Sequence, residues 1–299
     1  MSNFQLCLIT PSYRPDFARC RLLAESIDRL VSPKIHHYLI VDNRDFILFK
    51  QLESKNRTVI TVESILPWWI QKLPLIENGW FSWKTLPLRN WLVQQIVKLE
   101  IANHISEDIL IFVDSDVVFI KPFAGREFIK NERARLMRVS LCVEDLSNLD
   151  TQIEWYKSAM SLLGISSLTE QLCDRENIDV YVGNLITWKR DNVLRLHQHI
   201  EKVTQKSWIK AIASCWNFSE YTLYGIFVDY ILKEQAGHYK DDSAISLDYW
   251  ETKRLNNEQL EQFFQDVSPE YLTVMISAKS QTPVADYSPF ICKIQSNQA

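Results

Sequence analysis

The chain reads as an α/β protein with a mostly parallel central sheet flanked by helices. Short apolar runs alternate with helix-periodic segments over the first hundred residues, the pattern of strands joined by helical crossovers. The run Ile109 to Val113 has strand length and no polar position, as a strand covered on both faces would. Of the 299 residues, 46% are apolar, enough for a substantial core. No repeat, low-complexity stretch or linker breaks the pattern, so we expect one domain over residues 1–240 and a C-terminal extension, 241–299, packed on it.

The elements follow in order. "FQLCLIT" is a short strand ended by Pro11, and Phe17, Cys20, Leu23, Ile27 and Leu30 recur at helical intervals behind Asp16 as a cap. "HHYLIVDN" is a second strand, a charged helical piece follows, and "RTVITVESIL" is a third strand. Residues 67 to 91 carry Trp68, Trp69, Trp80, Trp83 and Trp91 among Pro67, Pro74 and Pro87, which predicts a packed aromatic loop or a stacking surface. Asn90 to Ile105 forms an amphipathic helix with Gln94 and Lys98 one turn apart. After the apolar strand, "IDVYVGNLITWKRD" reads as a strand pair, Asp191 caps a helix, and "SEYTLYGIF" opens another at Ser219 that closes at Gly237.

Composition narrows the function classes. With 33 basic and 37 acidic residues the net charge is −4, and no basic block tracks a phosphate backbone, so nucleic acid is not expected as a partner. No transmembrane segment and no leader is read, which predicts a cytoplasmic protein and leaves a peripheral membrane contact open. The six cysteines are widely spaced, with no CxxC, and suit buried thiols rather than zinc. None of the six glycines forms GxGxxG or a P-loop.

The informative stretch is "ILIFVDSDVVFIKPF", residues 109 to 123. Burying an unpaired carboxylate costs roughly several kcal/mol, so Asp114 and Asp116 at a strand end ask for a cation, a donor network or a water-filled cleft. If the strand persists, both point to one side and can share a divalent ion. Oxygen ligands of this kind suit Mg²⁺ or Mn²⁺, whose shells are completed by water and substrate phosphates.

The blocks "LITPSYRPDF", "YLIVDN", "LVQQIVKLEIA", "ILIFVDSDVVFIKPF", "YVGNLITW" and "FSEYTLYGIF" together resemble the GT-A-fold glycosyltransferases, in particular a bacterial group gathered under a domain of unknown function. The resemblance covers roughly residues 4 to 240. It implies a GT-A-like fold and metal-dependent transfer of a sugar from a nucleotide-sugar donor, a UDP-sugar first among them, to a saccharide, lipid-linked or other hydroxyl acceptor. It implies Asp116 as a direct metal ligand, and Asp114 and Ser115 beside the ribose or metal. Thr10, Pro11, Ser12, Tyr13 and Asp42 would frame base and ribose, with Gln94 and Lys98 facing the donor and Lys98 supplying positive charge to the diphosphate. Asn184 would touch the donor sugar, Glu220 would meet the acceptor hydroxyl as base or anchor, and His238 would be a third metal ligand.

Two other readings fit some of these residues. In a haloacid-dehalogenase-like phosphatase Asp114 would be the nucleophile and Asp116 the acid–base, with Lys240 to Asp242 supplying the later charged residues, although that motif belongs on a first strand. A nucleotide-sugar-binding protein without turnover would also keep the two carboxylates.

Overall fold

The computed structural model describes residues 4–73, 79–146, 148–166 and 176–296. In chain order, β1 (Leu6–Pro11), α1 (Phe17–Leu30), β2 (His36–Val41), α2 (Phe46–Lys50) and β3 (Arg57–Thr61) form the expected alternation. There follow α3 (Val62–Ile65), β4 (Ile70–Lys72), β5 (Gly79–Ser82), β6 (Leu88–Arg89), α4 (Asn90–Glu100), β7 (Ile109–Val113) and β8 (Val117–Phe119). Next come β9 (Ile129–Lys130), β10 (Arg133–Met137), β11 (Val139–Cys142), α5 (Leu149–Leu163), β12 (Asn177–Val180), β13 (Leu185–Lys189), α6 (Arg190–Thr204), α7 (Trp208–Ala213) and α8 (Glu220–Ile226). The chain ends with β14 (His238–Asp241), β15 (Ser246–Tyr249), α9 (Asn257–Gln265), β16 (Thr273–Ile276) and α10 (Val284–Ser296).

The fold is mixed α/β with a mostly parallel central sheet, whose strands run in the order β13-β7-β1-β2-β3. The β1–β2 and β2–β3 pairs are parallel, with Ile9 opposite Tyr38 and Leu39 opposite Val59. Parallel pairing needs crossovers, and α1 and α2 supply them. Every residue of β7 is buried, as its unbroken apolar run requires.

The chain divides into two compact units. The first holds Met1–Phe4, Val62–Leu110 and Lys130–Asp242, and the second holds Gln5–Thr61, Ile111–Ile129 and Ser243–Ala299. In the second unit, Cys20, Leu39, Val41, Phe49 and Val59 pack one core. Another core gathers Val118, Ile120, Leu260, Phe264, Val274, Tyr287 and Ile291. The tail therefore contributes framework: β16 pairs antiparallel with β8, setting Val274 opposite Val118, and Gln295 donates to the Phe119 carbonyl at 2.7 Å.

Three local expectations change. Residues 67 to 91 do not form a loop throughout, because β4, β5 and β6 make an antiparallel sheet with Trp80 opposite Leu88. Pro67 and Pro87 lie outside these strands, where a missing N–H breaks no ladder, and Pro74 lies outside the described residues. The strand at 109 does not persist through the carboxylates either; the Val117 N–H bonds the Asp114 carbonyl at 3.2 Å and closes a turn before β8. The third strand is shorter than read, ending at Thr61 where α3 begins. The last helix of the first unit opens as expected, with the Ser219 hydroxyl accepting from Thr222 N–H at 3.2 Å. Gly225 is demanded by close approach, since a Cβ there would lie 2.2 Å from the Tyr181 ring.

Candidate functional site

In the second unit, β1 and β2 run parallel, so Ser12 and Asp42 leave the sheet at the same end. Ser12 N–H donates to the Ile40 carbonyl at 2.9 Å, and a 3-10 turn, Arg14–Asp16, leads into α1. Asp16 sits at the N-cap of α1 yet makes no side-chain capping bond. Its carboxylate instead faces Arg19 at 3.5 Å and the charge of Asp114. Burial first, and Asp114 after it, raises the Asp16 pKa above the usual carboxylate value.

Asp116 is the most perturbed of these acids. Burial, then the neighbouring charge of Asp114, pushes its pKa up to about 6. The Ala278 N–H donates to Asp116 Oδ2 at 2.8 Å and works in the opposite direction. Asp16, Asp114 and Asp116 thus act on one another in the second unit, with Ser115 buried between the latter two in sequence. Tyr287, 2% exposed, joins them from α10. Its hydroxyl has no hydrogen-bond partner of good geometry, while the charges of Arg19, Asp116 and Asp16 act on it. Tyr13 is 40% exposed and feels Asp16 and Asp116.

The donor set fits a divalent ion of the Mg²⁺ or Mn²⁺ type. All the candidate ligands are carboxylate oxygens, and two of them carry raised pKa values that a cation would relieve. Among the described residues no three His, Cys, Asp or Glu side chains converge into a ready-made metal site. Mg²⁺ is commonly held by one or two carboxylates plus substrate phosphates, so the set matches an ion that arrives with its ligand.

The remaining expected residues of this unit divide. Thr10 is fully buried, and its hydroxyl meets His37 Nε2 at 3.0 Å. Arg57 Nε donates to His37 Nδ1 at 3.0 Å and Arg57 Nη2 to Asp28 at 2.7 Å, so His37 carries its proton on Nε2 and donates to Thr10. Thr10 is thereby committed to an internal chain and is not offered to a ligand. Asp42 lies 3.3 Å from Arg44, and Asp45, overlooked in the sequence, takes Arg14 through N–H at 2.9 Å and Nε at 3.0 Å. Pro11 ends β1, and the buried Ser12 hydroxyl has no hydrogen-bond partner.

The first unit holds a different arrangement. Lys98 Nζ lies 3.0 Å from Glu220 Oε1 and 2.7 Å from the Tyr221 hydroxyl, over whose ring it sits at 4.3 Å. The Glu220 N–H donates to Gln95 Oε1 at 2.9 Å. Lys98 is therefore a buried ion-pair partner; Gln95, which the sequence does not single out, accepts from Glu220, and Gln94 is half-buried. Asn184 is buried, and neither end of its carboxamide has a partner.

His238 does not behave as a metal ligand. Its Nδ1–H meets the Ala134 carbonyl at 3.0 Å, and Nε2 accepts from the Tyr224 hydroxyl at 2.8 Å. Burial lowers its pKa to about 4, so the neutral ring has both nitrogens engaged. Lys240 pairs with Asp229 at 3.0 Å and Asp241 with Arg135 at 2.6 Å, so this segment lends no support to the phosphatase arrangement. Of the cysteines, Cys7, Cys20, Cys142, Cys215 and Cys292 are in no disulfide, and Cys173 lies outside the described residues.

A family model described as "Family of unknown function (DUF6492)" matches residues 4–293. The chain belongs to DUF6492. That match spans both units of the DUF6492 chain, including the tail that supplies Ala278 and Tyr287. No curated protein matches it significantly. A solved structure of an active-site mutant of the glycosyltransferase LgtC is 11% identical, with a TM-score of 0.46 over 90% of this chain and 86% of that one. At that score the likeness assigns no residue of the DUF6492 chain.

Proposed function

We propose that this protein is a glycosyltransferase that moves a sugar from a nucleoside-diphosphate sugar to an acceptor hydroxyl. The observation that carries the reading is the like charge that Asp114 and Asp116, after β7, and Asp16, before α1, exert on one another, with Asp116 driven to a pKa of about 6 by burial and by Asp114. Such a set is unstable alone and is satisfied by a cation carrying a polyanion.

Asp114 and Asp116 are the residues assigned to hold Mg²⁺ or Mn²⁺, which when bound would neutralise charge on the departing diphosphate. Ser12, Tyr13, Ser115 and Asp42 are assigned to the nucleoside, by their positions after β1, β2 and β7. Arg19 lies 3.5 Å from Asp16 and holds part of the acidic charge in check.

Asn184 is assigned to sugar hydroxyls because its buried amide has an unsatisfied donor and acceptor. In the first unit Glu220, paired with Lys98 through Oε1, keeps the role that the resemblance implies, base or anchor for the acceptor hydroxyl. In the transfer the acceptor oxygen bonds the anomeric carbon, the bond to the diphosphate oxygen breaks with its electron pair going to the diphosphate, and the hydroxyl proton passes to the Glu220 carboxylate or to solvent water.

Calorimetric titration of nucleoside diphosphates with and without Mn²⁺ tests the reading. The wild type should bind one of them at least tenfold more tightly with the ion, and Asp116→Ala should abolish that gain. Ion-independent binding, or an unchanged gain in the variant, would remove the metal assignment, and absence of any binding would remove the donor reading.

A further inference from the structure

The antiparallel sheet β4–β6 in the first unit presents two unlike faces. Trp80 and Ser82 point inward and are buried, while Phe81, opposite Gln71, shares the outer face with Arg89, opposite Gly79. Beyond β5 the turn Trp83–Lys84–Thr85–Leu86–Pro87 projects, with Trp83 64% and Leu86 78% exposed. Trp68, 71% exposed, stands beside it under Lys84, whose Nζ is 5.7 Å from the ring centre. On the other flank Arg89 stacks on Trp216 at 4.6 Å, with that indole 73% exposed. Single exposed apolar residues are ordinary, but a cluster of this size on one small sheet marks an interaction surface.

Charge and shape select the partner. Between Ile65 and Trp91 the sequence carries three cations, Lys72, Lys84 and Arg89, against one acid, Glu77, which lies outside the described residues, on a protein whose net charge is −4. Indoles prefer the boundary where an apolar ring and a polar N–H are both satisfied, and flanking cations favour anionic headgroups. The exposed apolar side chains sit in a turn and beside it, and among the described residues from 65 to 91 there is no carboxylate to take sugar hydroxyls. We propose that this face docks the protein on the surface of an anionic lipid bilayer, with Trp68, Trp83 and Leu86 entering the interfacial layer and Lys84 and Arg89 meeting the headgroups. No helix among the described residues is long and apolar enough to cross a membrane, so the contact is made from one side.

Co-sedimentation of the full chain with vesicles of phosphatidylcholine, alone or mixed with phosphatidylglycerol, tests this. We expect binding to the mixed vesicles with a blue shift of indole emission, weakened severalfold by high salt. Trp83→Ser/Leu86→Ser should lower the partition coefficient about tenfold or more, and Lys84→Glu severalfold, at unchanged unfolding temperature. Asp116→Ala should bind vesicles like the wild type, which separates this surface from the proposed donor chemistry. Failure of the wild type to bind mixed vesicles, or equal binding by the Trp83/Leu86 and Lys84 variants, would overturn the proposal. So would self-association that the double variant abolishes without vesicles, or an indole shift produced by oligosaccharide in place of lipid.

Discussion

Glu220 in the first unit and Asp116 in the second are both shielded carboxylates, and their surroundings treat them in opposite ways. Glu220 has an ammonium at 3.0 Å, and its own N–H is taken by Gln95 at 2.9 Å. Asp116 has one backbone N–H at 2.8 Å and the negative charges of Asp114 and Asp16. The first arrangement is complete in the free protein. The second is deficient in positive charge and improves when something positive arrives. A buried acid that is already paired is a framework element first, whereas one held among like charges stores binding energy for a cation.

The largest effect that sharpens this contrast is on Lys98. Lys98→Met leaves Glu220 buried without its counter-charge and should cost about 3–5 kcal/mol in urea unfolding. Adding Glu220→Gln should recover most of that loss. A double variant as unstable as the single one would mean that Lys98 acts chiefly through Tyr221 and packing.

Asp116 should respond with the opposite sign. Its folded pKa, about 6, lies above the ordinary 3.8, so the folded state binds this proton more tightly than the unfolded state does. The stability it contributes is full below about pH 3.8 and is lost as pH rises through about 6. Asp116→Asn keeps an acceptor for the Ala278 N–H and removes the charge, so in EDTA at pH 7.5 it should stabilise the protein by about 1–2 kcal/mol. Near pH 4 the gain should vanish. Equal destabilisation at both pH values would show that the carboxylate is not held against like charge.

The smallest effect belongs to Tyr287. Its hydroxyl is buried without a good partner, so Tyr287→Phe should change stability by less than about 1 kcal/mol. Nucleoside diphosphate affinity in Mn²⁺ should fall about fivefold, read by the same calorimetry. Unchanged affinity would confine Tyr287 to the core of the tail.

The contrast was only half legible in the sequence. Strand and helix alternation in residues 4–61, the apolar β7 and the Ser219 start of α8 follow from local pattern, and they carry Asp42, Asp114, Asp116 and Glu220 to their places. Asp16 reads as a helix cap because caps are the common fate of Asp before an apolar helix, and only the folded chain shows it uncommitted to that role. Gln95 carries no local signal, because the Glu220 N–H that it accepts from lies 125 residues further along the chain. The β4–β6 sheet was hidden by its prolines, which local rules assign to loops. Ala278 and Tyr287 lie more than a hundred residues beyond Asp116, and no local rule could have joined them to it.

That last separation has a consequence in time. Asp116 obtains its backbone donor from a residue 162 positions later, brought in by the pairing of β16 with β8. During synthesis the acidic turn exists long before its partner does, and contacts of such sequence separation form late because the intervening chain must first be closed. The turn Asp114–Ser115–Asp116 therefore lacks this donor until residue 278 has been made and the tail has docked on β8. A nascent or truncated chain that lacks residue 278 carries the carboxylates without the amide that steadies one of them, so competence to hold a ligand there comes with the finished polypeptide.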